Sequence, residues 1–249
     1  EPAYFDKTQD YPSDHVEVDY FVTVQNIAVT LDENGDKVLL TEDLRNGNGR
    51  TIKSRYSTSN RVDKFDEPID AIYWIMKDES LPPVMKINDP ILAATFGATL
   101  ATKRSTAERL KKGIDVNKLV IEPYANPFRI YPLDEDYHHF KALFTDQKIN
   151  CYILNTGFFG DKKVTAAITL SSIESIVEET AEFKPFGTLN DLSYLVVDGY
   201  EPEFDNQEYH QLVQERLNMR VAYIQEQKEK NQLNVLPDEA LEAMQALIE

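Results

Sequence analysis

In residues 151–169, CYILNTGFFGDKKVTAAIT, an apolar strand-like run leads into Asn155-Thr156-Gly157. A second glycine, Gly160, and the basic pair Lys162 and Lys163 follow. A strand, an open turn and paired cations suit the holding of something anionic at the carboxyl end of a strand, where open α/β sheets place ligands. An Asn-Thr-Gly turn also serves simply to reverse the chain, and the residues alone leave both readings open. A second group of cations, Arg50, Lys53, Arg55 and Arg61, follows the glycine-rich loop Asn46-Gly47-Asn48-Gly49. It stands out in so acidic a chain, although a solvated edge strand whose charges discourage pairing accounts for it equally well.

Other chemistry-bearing residues point to structure. Cys151 is the only cysteine, so no internal disulfide forms, and a reducing, cytoplasmic compartment is the inference. Its apolar surroundings make it a small core residue and not a nucleophile. His138 and His139 are neighbours on an expected helix, point in different directions and cannot chelate one ion together, so no metal ligands are assigned. The chain has no GxxxxGK[ST] phosphate loop, GxGxxG, GxSxG, HExxH or CxxC. With 43 acidic residues, close carboxylates arise by chance, and none is nominated as a catalytic pair.

The elements that must position these residues can be read in order. Residues 1–20 are polar and aromatic with little periodicity, which predicts an irregular, surface-hugging segment. Alternating apolar residues from Phe21, divided at Asn34-Gly35, predict a hairpin. Ala71–Met76 is a continuous apolar run typical of a strand covered on both faces. Pro82 and Pro83 then fix a rigid loop, and Asn88-Asp89-Pro90 starts a helix expected to run to Lys103-Arg104. Ser105 and Glu108 form a capping box for a short helix that Gly113 can end. A short strand at 119–122, an aromatic and proline loop, and a helix at 136–144 follow.

Beyond the 151–169 stretch, Ser171 and Glu174 predict a capping box for a helix over 171–183, and 192–197 is read as a last strand. Residues 205–230 form a long charged helix striped by Val213, Leu217, Val221 and Ile224, and Pro237 starts a closing helix. These two helices pack on the body or on a partner. The expectation is an α/β region over 1–200, a mixed sheet with flanking helices, and a helical extension over 201–249.

The composition, 42% hydrophobic and 10% aromatic over 249 residues, suits a folded protein with a sizeable core. A net charge of −17 argues against nucleic acid or an anionic membrane as partner, because the summed field repels polyanions. An anionic small ligand needs a local basic pocket. No run approaches a membrane span and no signal pattern opens the chain. The first residue is Glu, which predicts a processed, truncated or partial chain.

Taken together, these segments resemble the C-terminal half of ATP-dependent phosphoenolpyruvate carboxykinase. The family's NTG-W/F-x-G turn, basic pair and downstream threonine match Asn155-Thr156-Gly157-Phe158, Gly160, Lys162-Lys163 and Thr169. Its Asp and LPPV strand-end loop matches Asp78, Leu81-Pro82-Pro83-Val84 and Lys86, and its TAK-type segment matches Ala98 to Lys103 more loosely. Glu1-Pro2, Gln25-Asn26-Ile27, Asn48-Gly49-Arg50 and Ala125 through Tyr137 are weaker echoes. The order of the segments is preserved over residues 1–177.

The resemblance implies an enzyme converting oxaloacetate and ATP to phosphoenolpyruvate, carbon dioxide and ADP, with Mg or Mn between nucleotide and substrate. Its fold would be the C-terminal lobe of that family, and its partners a nucleotide and a small dicarboxylate. By the same resemblance Lys163 and Thr169 border adenine and ribose beside Asn155, Thr156 and Gly157, and Glu1 reaches the ribose. Arg50, with Arg55 as runner-up, contacts phosphates and substrate. Such cations are reasonable, since phosphoryl transfer is mostly positioning and charge stabilisation. Lys163 stands where the family usually has arginine, which keeps the charge and loses the planar fork. The family's phosphate loop and metal ligands lie upstream of its Glu-Pro segment, so these residues alone are expected to bind neither ATP nor metal and to show no carboxykinase activity. The alternatives are a divergent relative that binds nucleotide without this chemistry and an interaction module that self-associates through 205–249.

Overall fold

A computed structural model describes residues 3–7, 22–25, 29–39, 50–54, 67–103, 115, 118–126 and 129–248. The chain forms two compact units, one of Glu1–Glu67 with Arg104–Lys118, the other of Pro68–Lys103 with Leu119–Glu249.

The described strands of the first unit are β1 (Ala3–Lys7), β2 (Val22–Gln25), β3 (Val29–Leu31), β4 (Lys37–Leu39) and β5 (Arg50–Ser54). β1, β5 and β2 form an antiparallel sheet in that order. The segment expected to be irregular therefore contains a strand. Its partner is the distant β5, and such pairing leaves no periodic signal in the neighbouring residues. β3 and β4 form the expected hairpin. The Asp32 carboxylate accepts the amide hydrogens of Asn34 and Asp36 at 2.9 Å, and Gly35 takes φ +84°, a conformation that favours glycine. The capping box at Ser105 and Glu108 lies outside the described residues.

The second unit holds β6 (Ala71–Met76), β7 (Val84–Ile87), α1 (Pro90–Ala98), β8 (Ala101–Lys103), β9 (Leu119–Ile121), α2 (Leu133–Asp146), β10 (Asn150–Asn155), β11 (Phe158–Phe159), β12 (Lys162–Lys163), α3 (Ala166–Val177), β13 (Phe183–Phe186), β14 (Leu189–Leu195), α4 (Gln207–Lys230) and α5 (Asp238–Gln245). Its main sheet is mixed, in the order β13-β14-β7-β10-β6, with β10 and β6 parallel and the other pairs antiparallel. The protein is thus α/β with a mixed sheet and flanking helices.

Strand alternation divides the core. Cys151 and Ile153 of β10, with Trp74, Met85 and Leu192, belong to a large cluster containing residues of α1, α2, α4 and α5. Tyr152 and Leu154 belong instead to a smaller cluster against Ile173 and Ile176 of α3. The stripe Val213, Leu217, Val221 and Ile224 is buried in the larger cluster, so the long helix packs on the body of its own unit.

Several element boundaries differ from expectation. α1 starts as expected, with Asp89 accepting the Leu92 amide hydrogen at 2.8 Å, but ends at Ala98. Residues 101–103 pair with β9, and this tertiary contact overrides the helical preference of the alanines. α3 starts five residues before Ser171, capped by Thr165, whose hydroxyl accepts the Ile168 amide hydrogen at 3.3 Å. The Ser171 hydroxyl instead donates to the Ile168 carbonyl at 3.1 Å. α3 stops at Val177, leaving Phe183 to open β13, which pairs with β14, a strand three residues earlier in its start than expected. Among the described residues no helix is long and apolar enough to cross a membrane.

Candidate functional site

The parallel pair places the carboxyl ends of β6 and β10 side by side, with Asn155 opposite Met76. Two loops leave there: Lys77 to Leu81 after β6, and Asn155 to Gly157 after β10. The Asn155 side chain lies fully buried between them. Its amide nitrogen is within donating distance of the carbonyls of Asp78 (2.9 Å), Leu81 (2.6 Å) and Phe158 (2.8 Å). Its Oδ1 accepts the Gly157 amide hydrogen at 3.0 Å. Two side-chain hydrogens thus serve three carbonyls, and asparagine supplies both the donors and the acceptor the position needs. Asn155 is the clamp of this strand end and has no hydrogen left for a ligand.

Thr156 joins the clamp, its amide hydrogen going to the Met76 carbonyl at 3.0 Å and its hydroxyl to the same oxygen at 3.4 Å. A side chain at Gly157 would begin 3.3 Å from the Lys77 backbone, so close approach of the two loops favours glycine here.

Beneath the clamp is a charge cluster. The Asp78 carboxylate, 1% exposed, accepts the Ser80 amide hydrogen at 3.1 Å and hydroxyl at 2.7 Å on one oxygen, and Arg220 of α4 at 2.9 Å on the other. Arg220 is equally buried, donates to the Arg216 carbonyl at 2.9 Å and lies 5.3 Å from the Phe96 ring centroid. Arg216 lies 3.7 Å from Asp78 and 2.9 Å from Glu79. Burying both charges is costly, and mutual pairing with further hydrogen bonds offsets that cost. Tyr209, whose hydroxyl donates to the Ser80 carbonyl at 2.9 Å, is pushed up from the usual phenol range first by burial and then by the Asp78 charge.

The outer part of the site is different. β11 and β12 form a short antiparallel hairpin in which Phe158 faces Lys163 and Phe159 faces Lys162. Lys162 donates to the Gly199 carbonyl at 2.8 Å and lies 4.1 Å from the Tyr200 ring centroid, so it anchors the hairpin. The Lys163 ammonium lies 4.9 Å from the centroid of Phe158, itself 43% exposed. Thr169, in the first turns of α3, donates to the Thr165 carbonyl at 3.3 Å. Beside the hairpin a groove of about 560 Å³ is lined by Phe159, Lys162, Tyr209 and the acidic Asp161, Glu201 and Glu203.

The structure therefore gathers Asn155, Thr156, Gly157 and Lys163 around one turn and divides them by role. Arg50 is the first residue of β5, in the other unit, while Glu1 and Arg55 lie outside the described residues. Cys151 is buried, and burial pushes its thiol up. Among the described residues no group of three His, Cys, Asp or Glu side chains could hold a metal ion. Sequence reasoning missed Arg216 and Arg220 as members of the strand-end cluster. The available signal was Arg220 itself, a charge set among Leu217, Val221 and Ile224 on the apolar stripe.

No protein-family model matches the chain, and no curated protein matches it.

Proposed function

We propose that the β11–β12 hairpin and the start of α3 form the base-and-ribose wall of a nucleotide site in a phosphoenolpyruvate carboxykinase-like protein. The observation that carries this reading is the exposed cross-strand pair of Phe158 and Lys163, beyond the carboxyl end of a parallel strand. An aromatic face and a cation suit a base and an anionic ligand, and the carboxyl ends of strands are where open α/β sheets place ligands. The ordered segment matches from Asp78 through Thr169 support the family assignment. In it the whole cytoplasmic enzyme converts oxaloacetate and ATP to phosphoenolpyruvate, carbon dioxide and ADP; roles for Arg50 or Arg55 at the phosphates and Glu1 at the ribose rest on the resemblance alone.

A nucleotide-binding relative without carboxykinase chemistry is the second reading, favoured by Lys163 in place of the family's arginine. Both readings are tested by titrating the chain with ATP. The sequence predicts no cofactor on these residues alone, but the exposed Phe158 and Lys163 supply a stacking face and a cation. Weak saturable binding is therefore expected, weakened about fivefold in Lys163→Ala, the loss of roughly 1 kcal/mol set by one exposed charge contact. Absence of binding at millimolar ATP would overturn both.

A further inference from the structure

A cavity of about 830 Å³, which shares no residue with the turn, lies between the segment after β9 and the loop after α4. Its volume falls in the range of small-molecule sites, roughly 300–1,000 Å³. We propose that this cavity binds a neutral carbohydrate, independently of the nucleotide reading above.

Both walls are held in place by side chains of the same unit. One wall contains the turn Pro123–Ala125, in which Tyr124 and Ala125 each take φ 52°, left-handed backbone in residues that are not glycine. The Tyr124 ring stacks on Phe140 of α2 with centroids 4.6 Å apart, and its hydroxyl donates to the Ala94 carbonyl of α1 at 2.9 Å. Backbone held against its preference in this way collects at ligand sites. The other wall is tied down by Arg129, whose side chain is 7% exposed. It donates to the Leu233 carbonyl at 3.3 Å and to Asn234 Oδ1 at 2.6 Å.

The lining decides the class of ligand. Among the described residues it carries one cation, Arg129, and one anion, Glu122, so it offers no net charge to an ionic ligand. The side chains of Tyr223, Asn231 and Gln232 have no hydrogen-bond partner among the described residues. An apolar ligand would cover these groups unpaired, which is costly. Each of them both donates and accepts, and the phenol keeps its proton because burial pushes it up to about 12. A sugar hydroxyl also donates and accepts, so such pairs satisfy both partners. The Tyr223 ring, with Pro123 and Leu233, supplies an apolar surface for the C–H face of a pyranose.

The test is saturation-transfer NMR on the full chain with maltose, cellobiose and lactose at millimolar concentration, and with glucose and glucose 6-phosphate as the ionic comparison. Transfer to at least one disaccharide is expected, and the phosphate should add no affinity to glucose. Tyr223→Phe and Gln232→Ala remove groups that bond nothing among the described residues and should fold like the parent. Each is expected to weaken the disaccharide about threefold to tenfold, the range for one lost neutral hydrogen bond. Absence of transfer to all three disaccharides overturns the proposal. So does an affinity unchanged in both variants, which puts the sugar elsewhere on the chain. Glucose 6-phosphate bound about tenfold or more tightly than glucose would make this an anion site and overturn it as well.

Discussion

Asn155 and Lys163 belong to the same short stretch of chain, yet their surroundings have little in common. The Asn155 side chain is fully buried and serves four backbone groups, joining the loop after β6 to the turn after β10. Lys163 is exposed, and its ammonium meets the ring of Phe158. The same division extends outward, since Asp78 and Arg220 lie with the buried clamp and Phe158 with the open face. One short turn can therefore hold a buried clamp and an exposed face at once, in different atoms. Polar groups that fix a strand end are consumed in doing so, and only groups held away from the clamp remain for a ligand.

The sharpest way to break this contrast is at Arg220. Arg220→Leu leaves the buried Asp78 carboxylate without its closest cation, and breaking a buried pair this way costs about 3–5 kcal/mol. Urea unfolding should show the loss, and the double variant with Asp78→Asn should recover part of it. Recovery would be missing if the two side chains acted independently. Asn155→Ala is expected to cost about 2–3 kcal/mol, because buried carbonyls and the Gly157 amide lose their partner. A loss as small as that of a surface substitution would show that Asn155 is no clamp.

A smaller effect is expected where α5 meets α2. Lys141 bonds Glu239 at 2.6 Å and the Tyr137 hydroxyl donates to it at 3.0 Å; these bonds, Lys141 first, hold the Glu239 carboxyl below its usual range against a smaller opposing effect of burial. A depressed folded-state pKa stabilises above the unfolded value and stops doing so as pH falls through the folded one. Glu239→Gln should therefore be less stable than the parent by about 0.5–1 kcal/mol at neutral pH. That gap should close below about pH 4, near the ordinary glutamate pKa. A gap that persisted in acid would assign the effect to packing.

The smallest effect sharpens the other side of the contrast. Phe158→Ala and Lys163→Ala should each change unfolding free energy by no more than about 0.5 kcal/mol, as exposed substitutions do. Their thermal melts should nearly overlay the parent's in the absence of nucleotide. A large loss of stability in either would move the hairpin face into the clamp.

Much of the second unit was legible because its signals are local. The Asp89-Pro90 helix start and the stripe on α4 follow from capping and period within a few residues. The apolar run at Ala71–Met76 is a strand, but one at the end of its sheet with Ile75 57% exposed, contrary to the expectation of cover on both faces. The errors fell where distant pairing decides. Ala101–Lys103 became a strand because β9 lies beside it, and Ala3–Lys7 because β5 does. For the site, the turn and its basic pair could be found from residue types, but not the division of labour among them.

By itself the sequence determined that a strand runs into an Asn-Thr-Gly turn, that two lysines follow, and that a long helix carries an apolar stripe interrupted by Arg220. Only the tertiary structure decided that Asn155 closes on the loop after β6, that Lys162 bonds the Gly199 carbonyl while Lys163 meets the Phe158 ring, and that Arg220 neutralises Asp78. The reason is physical: whether a polar atom is free depends on what comes within about 3 Å of it. In this chain the deciding partners lie 77 residues from Asn155 and 142 residues from Asp78.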